Sequence, residues 1–278
     1  MTKFLSLLKI IAKVILGRAT IVDISPLTFS GWKMATGTQV PWHRGGGNQR
    51  ARSYAECDSQ MAALIVRRKV LLTQFRQESV DSEVAALKWR HYFVHWTASE
   101  AARLKSSSEN NFVELGVCDG LTAWYAALAL QGAACEGQFY LYDAWAAMRG
   151  DLLTDSEKTS AGSYAYLSLE NTKKNLSLTG FNGFVYNKGY IPESFATSEN
   201  PETVAWLHID LNSALPTLAA LDYFWERMVP GGIVLFDDFA WPGYEDTREK
   251  IEAWSDVRGA SILHLPTGQA MITKGVAA

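Results

Sequence analysis

The stretch Phe112-Val113-Glu114-Leu115-Gly116-Val117-Cys118-Asp119-Gly120 decides the fold. A short apolar run, 112 to 116, carries one carboxylate near its end and passes through two glycines into Leu121 to Leu130, which reads as a helix. Strand, glycine turn and helix together open a βαβ crossover. Gly116 lets the backbone approach a ligand closely, and Gly120 eases the chain into a helix whose first N–H groups are unpaired. The dinucleotide fingerprint G-x-G-x-x-G is absent, and Glu114 would repel a pyrophosphate, which disfavours a nicotinamide-dependent oxidoreductase. A carboxylate here suits a cationic ligand tail instead, held directly or through water.

Downstream, apolar runs at 138 to 142, 183 to 186, 205 to 209 and 232 to 236 alternate with helix-like stretches. This is the pattern of a parallel sheet. The tail breaks it: Ser261 to Leu265 and Gln269 to Thr273 flank Pro266-Thr267-Gly268, a hairpin turn. The expected fold is α/β, a Rossmann-like doubly wound sheet over residues 105–278, mostly parallel with a C-terminal antiparallel hairpin. Upstream, Ser53 to Leu104 repeats apolar residues at three and four positions, as in Met61, Leu64 and Ile65, and predicts two or three helices. Residues 19–104 therefore read as a linker or lid followed by a helical extension.

Two groups of acids fall at strand ends. Asp143 closes the second strand, 29 residues after Glu114, where a carboxylate suits a bidentate hydrogen bond to a ribose diol. Asp210 closes the fourth strand and Asp237-Asp238 the fifth. Adjacent strands run about 4.8 Å apart, so these three carboxylates meet outside the sheet and repel unless a cation or protons intervene. All-oxygen ligation selects a hard divalent cation such as Mg²⁺. The plainer reading is a loop cap, a solvated acid and a strand end, but three acids at adjacent strand ends favour a site. Trp241 and Tyr244 follow closely enough to wall a pocket, or simply to pack.

With Glu114, Gly116, Gly120 and Asp143 in place, the chain resembles the class I S-adenosylmethionine-dependent methyltransferases. That resemblance assigns Glu114, Gly116 and Gly120 to the methionine end of the cofactor, Asp143 to its ribose, and Gly189, in Lys188-Gly189-Tyr190, to the flank of its adenine. Cys118 departs from the pattern, since many members carry glycine there. The stretch His208-Ile209-Asp210-Leu211-Asn212-Ser213, with Val229-Pro230-Gly231-Gly232-Ile233, Phe236-Asp237-Asp238-Phe239 and, upstream, Gly189-Tyr190-Ile191-Pro192-Glu193-Ser194, is similar to the macrocin O-methyltransferase group. These are metal-dependent enzymes acting largely on sugar hydroxyls, and the likeness implies Asp210, Asp237 and Asp238 as metal ligands. Asn212 stands where the group usually has a second aspartate, the proposed base, and an amide does not accept a proton near neutral pH. His208, on the same strand face, is a candidate substitute; a buried core histidine is the other reading.

The implied activity is S-adenosylmethionine-dependent, Mg²⁺-assisted methyl transfer to a hydroxyl of a small molecule or sugar. The rival is a catalytically silent scaffold of the same fold, which Asn212 favours. A net charge of -3 carries no field for holding nucleic acid. Cys57, Cys118 and Cys135 cannot all pair within the chain and show no metal spacing, which points to a reducing cytoplasm. Residues 1–18 form an amphipathic helical pattern too short and too broken by Lys9 and Lys13 to span a bilayer. Docking on the chain's own domain or on a second copy is favoured over attachment at a membrane surface.

Overall fold

A computed structural model describes residues 49–67, 69, 70, 87–104 and 110–275. The amphipathic segment 1–18 and the first part of the linker or lid, residues 19–48, lie outside them. Two helices, α1 (Gln49–Val66) and α2 (Lys88–Ala101), precede the sheet domain. It then runs β1 (Phe112–Leu115), α3 (Leu121–Gly132), β2 (Phe139–Asp143), α4 (Leu169–Ser177), β3 (Phe184–Lys188), β4 (Val204–Ile209), α5 (Ala214–Trp225) and β5 (Met228–Phe236). The chain continues through α6 (Glu245–Arg258), β6 (Ile262–His264) and β7 (Ala270–Thr273). The strands form one seven-stranded sheet in the order β3-β2-β1-β4-β5-β7-β6. Strands β1 to β5 are parallel, and β7 is antiparallel to both neighbours. The expected doubly wound sheet with its terminal hairpin is the observed fold.

Alternating side chains divide the core in two. Phe112 of β1 and Trp206 of β4 point toward α1, α2 and α3, where Tyr54, Met61, Val94 and Trp124 meet them. Val113, Leu115, Leu207 and Ile209 point the other way, toward Phe224 of α5 and Trp254 of α6. α3 is buried almost all round because it lies between the sheet and the two N-terminal helices, so its sequence is apolar on every face. Period-two alternation also sets the site: Glu114 and His208 are paired across β1 and β4, and Glu114 lies on the same face as Phe112.

One boundary differs from the sequence reading. β5 begins at Met228, not at 232, and runs through Pro230 and Gly231. Those residue types ordinarily break a strand. Here a register shift against Val204 to Trp206 absorbs the irregularity, with Gly231 at φ 83°.

Candidate active site

The parallel strands end on one rim, and there a cleft of about 750 Å³ opens. Gly116, Cys118, Asp143 and Gly189 line one end of it, and Asp210, Asn212, Asp238 and Tyr244 the other. Four residues picked out in the sequence do not line it: Glu114, Gly120, His208 and Asp237.

At the first end, the loop after β1 is shaped by left-handed backbone. Gly116 has φ 86°, and Cys118 has φ 54°, so the cysteine adopts the left-handed conformation that glycine takes most easily. Asp143 holds this loop: its Oδ2 accepts from the Cys118 N–H at 2.8 Å and its Oδ1 from the Trp145 N–H at 2.6 Å. Burial raises the Asp143 pKa, and these backbone donors oppose the shift. Gly120, at φ 89°, is the N-cap of α3 and abuts Leu176. It starts a helix and does not face the cleft.

Glu114 departs most from its expected contact with a ligand tail. It sits one residue before the strand's end, so its side chain lies within the sheet's buried face rather than beyond the rim. There it accepts from the Thr122 hydroxyl and faces His208 Nδ1 at 3.2 Å. His208 is wholly buried, with Nε2 3.6 Å from Asp237 Oδ1 and its ring stacked on Trp206. Burial alone would favour the neutral imidazole, but Asp237 and Glu114 outweigh it and lift the pKa to about 10. His208 does not reach the cleft, which places it away from the role of substitute base.

The acid end contains a residue the sequence reading missed. Arg90, in the first turn of α2, donates from Nε to Asp237 Oδ1 at 2.7 Å and from Nη2 to Asp210 Oδ2 at 3.0 Å; Nη2 also contacts Asp237 Oδ2. Asp237 Oδ1 additionally accepts from Gln269 Nε2 at 2.9 Å. Burial would raise the Asp237 pKa, yet the charges of Arg90 and His208 hold it well below the carboxylate range. Asp238 moves the opposite way, because burial and the charges of Asp210 and Asp237 favour its protonated form. A signal for Arg90 existed, since a buried group of acids requires cations nearby, but the sequence did not show which helix supplied one.

Above the acids, Asn212 takes φ 54° and its Oδ1 accepts from the hydroxyls of Tyr164, at 3.3 Å, and Tyr244, at 2.5 Å. Its Nδ2 lies 3.4 Å from Asp210 Oδ1. The amide is thus oriented by two tyrosines over the carboxylates. Trp241 lines the same end, as its position after β5 suggested.

Residues 113–239 match the family model described as a methyltransferase domain. Over this stretch the chain is similar to methyltransferase domains. Its fold is similar to "Structure of the O-methyltransferase NovP", at 15% identity over 81% of this chain and 100% of that one, with a TM-score of 0.62. "Crystal Structure of CalS11, Calicheamicin Methyltransferase" gives 18% identity, 84% and 98% coverage and a TM-score of 0.55. No curated protein matches the chain significantly.

The cleft suits S-adenosylmethionine in size, since small-molecule sites span about 300–1,000 Å³. It suits it in chemistry as well, with a carboxylate and close-lying backbone at Asp143 and Gly116. The acid end has the donors for a hard divalent ion. One oxygen from each of Asp210, Asp237 and Asp238 lies within 4.8 Å of the others, and Asp238 Oδ2 is buried without a hydrogen-bond partner. Glu114 and these three acids carry four negative charges when ionised, against the charge of Arg90 and a second on His208 when it is protonated. The remaining two match a divalent cation, or two protons.

Proposed function

We propose that this protein is a methyltransferase that moves the sulfonium methyl group of S-adenosylmethionine to a hydroxyl of a small-molecule or glycosyl acceptor, with Mg²⁺ at Asp210, Asp237 and Asp238. The supporting observation is the single cleft that joins the Asp143 loop to the acid end. The methyl leaves sulfur as its bond to oxygen forms, the sulfonium becomes a neutral thioether, and the hydroxyl releases its proton. The sulfonium is already a reactive electrophile, so alignment and water exclusion are the protein's main work. A bound divalent ion would lower the hydroxyl's pKa.

In this reading Asp143 and the Gly116 to Cys118 backbone hold the donor, and Gly189 flanks its adenine. Asn212, fixed by Tyr164 and Tyr244, orients the acceptor, and Tyr244 and Trp241 wall it. With His208 sealed away, Asp210, which faces the cleft beside Asp238, takes the proton. A sugar acceptor is supported by the neighbour titled "TDP-rhamnose 3'-o-methyltransferase", 18% identical, with a TM-score of 0.50 and coverage of 86% of this chain and 100% of that one.

A cytoplasmic setting belongs to the same proposal. No helix among the described residues is long and apolar enough to cross a membrane. Residues 1–18 are assigned to self-docking or to a second copy, with a membrane surface as the alternative; co-sedimentation with anionic vesicles separates the two.

Calorimetric titration with S-adenosylhomocysteine should release heat, and a panel of hydroxylated glycosides with labelled donor should yield a labelled ether. Asp237→Ala should abolish transfer with cofactor binding nearly intact. Absence of cofactor binding would favour the silent scaffold that Asn212 suggests. Transfer undiminished by a chelator would remove the ion from the scheme.

A further inference from the structure

We propose that Arg90 is a tethered counter-cation of the carboxylate cluster that sets how tightly the cluster holds a divalent ion. The proposal rests on the reading that Asp210, Asp237 and Asp238 take such an ion. Arg90 reaches them from outside the matched domain, 120 residues before Asp210 and 147 before Asp237.

The geometry distinguishes this arginine from a surface ion pair. Its side chain is only 17% exposed, and one nitrogen, Nη2, faces both Asp210 Oδ2 and Asp237 Oδ2. That is the bridging position a cation takes between two acids. Nε completes a bidentate grip on Asp237, whose Oδ1 is also held by Gln269. A planar fork of donors makes such a grip directional.

Asp237 lies behind the cleft with its Oδ1 held by Arg90 and Gln269, whereas Asp210 and Asp238 face the cleft. An ion entering from the cleft would meet those two first and would compete with Arg90 for the charge of Asp210. It then sits beside a fixed positive charge, which opposes it. Arg90 thereby keeps the acids gathered without an ion and weakens the ion's hold once it arrives.

The test is Mn²⁺ binding to the full chain with S-adenosylhomocysteine present, followed by electron paramagnetic resonance, for wild type, Arg90→Gln and Arg90→Lys. Removing an opposing charge should tighten Mn²⁺ by about tenfold in Arg90→Gln, a change of about 1.4 kcal/mol. Arg90→Lys keeps the charge without the fork and should fall between the other two. A purely structural arginine predicts the reverse, because its loss would scatter the acids and weaken the ion. Arg90→Gln binding no tighter than a wild type that does bind Mn²⁺ overturns the inference alone. No binding in any of the three proteins overturns the ion reading with it. If Arg90→Gln does not fold, Arg90→Lys carries the test: tighter binding than wild type supports the inference, and equal or weaker binding overturns it.

Discussion

The α-carbon of Gly116 faces the carbonyl oxygen of Asp210 so closely that a Cβ built on it would lie 1.8 Å from that oxygen. The loop after β1 and the acid end after β4 thus share one junction, tied by the Asp210 N–H to the Leu115 carbonyl at 2.8 Å. Gly116→Ala meets both this clash and an unfavourable φ of 86°. The expected cost is at least about 3 kcal/mol, or roughly 10 °C in Tm, with loss of cofactor binding. Differential scanning fluorimetry and calorimetry measure the two, and an alanine variant as stable as wild type would contradict the junction.

Asp143 gives a prediction confined to the donor end. Its two oxygens accept from two backbone N–H groups, which an asparagine cannot match, since one of its terminal atoms is itself a donor. Asp143→Asn should weaken S-adenosylhomocysteine about tenfold or more, from the lost loop contact and the lost carboxylate together. Thermal stability and circular dichroism should change far less than affinity. Equal affinity in the variant would detach Asp143 from the cofactor.

Much of this was readable in the residues, and what was not has a common cause. The strands and their order follow from apolar runs and short connections, and Asp143, Asp210 and Asp238 reach the rim because each sits at or just past a strand end. Glu114 misled by one position: period-two alternation turned it into the buried face, where it meets His208 and Thr122. Arg90 was illegible for the opposite reason. Its partners lie more than a hundred residues away, and no local pattern distinguishes it from an arginine on a solvated helix face.

The cysteines separate by reactivity. Burial pushes the Cys57 thiol from 9.0 up to about 12, with the nearby charge of Glu56 adding to it. At pH 8 its thiolate fraction falls roughly a thousandfold below that of a free thiol, so iodoacetamide should leave it intact in the folded protein. Cys118 lines the cleft and should react, with S-adenosylhomocysteine protecting it. Peptide mass mapping reads both. The linked stability runs in one direction: the raised folded pKa adds stability present below pH 9, drained as pH climbs through about 12. Alkylation of Cys57 at pH 8, or of Cys118 unaffected by cofactor, would be the contrary result.

Glu157 controls the roof of the cleft. Its Oε1 accepts from the Ala214 N–H at 2.8 Å, at the start of α5, and its Oε2 from Ser213 Oγ at 3.1 Å and the Thr154 N–H at 3.0 Å. A buried carboxylate there meets unpaired helix donors and the positive end of the helix dipole. The same side chain fastens the 3₁₀ turn at 155–160 to the segment bearing Asn212, and Thr154 and Ser156 anchor that turn to Asp246 at the head of α6. Leu152, Leu153 and Ser160 bring this segment over the cleft. Glu157→Ala should cost about 2 kcal/mol and expose residues 150–165 to limited proteolysis, while Glu157→Gln, which keeps one acceptor, should lose about half as much. Cofactor affinity should hold in both, because Asp143 and Gly116 are fixed by other strands. If glutamine matched the wild type in Tm and protease resistance, the charge at the helix start would be irrelevant, and shape alone would hold the roof.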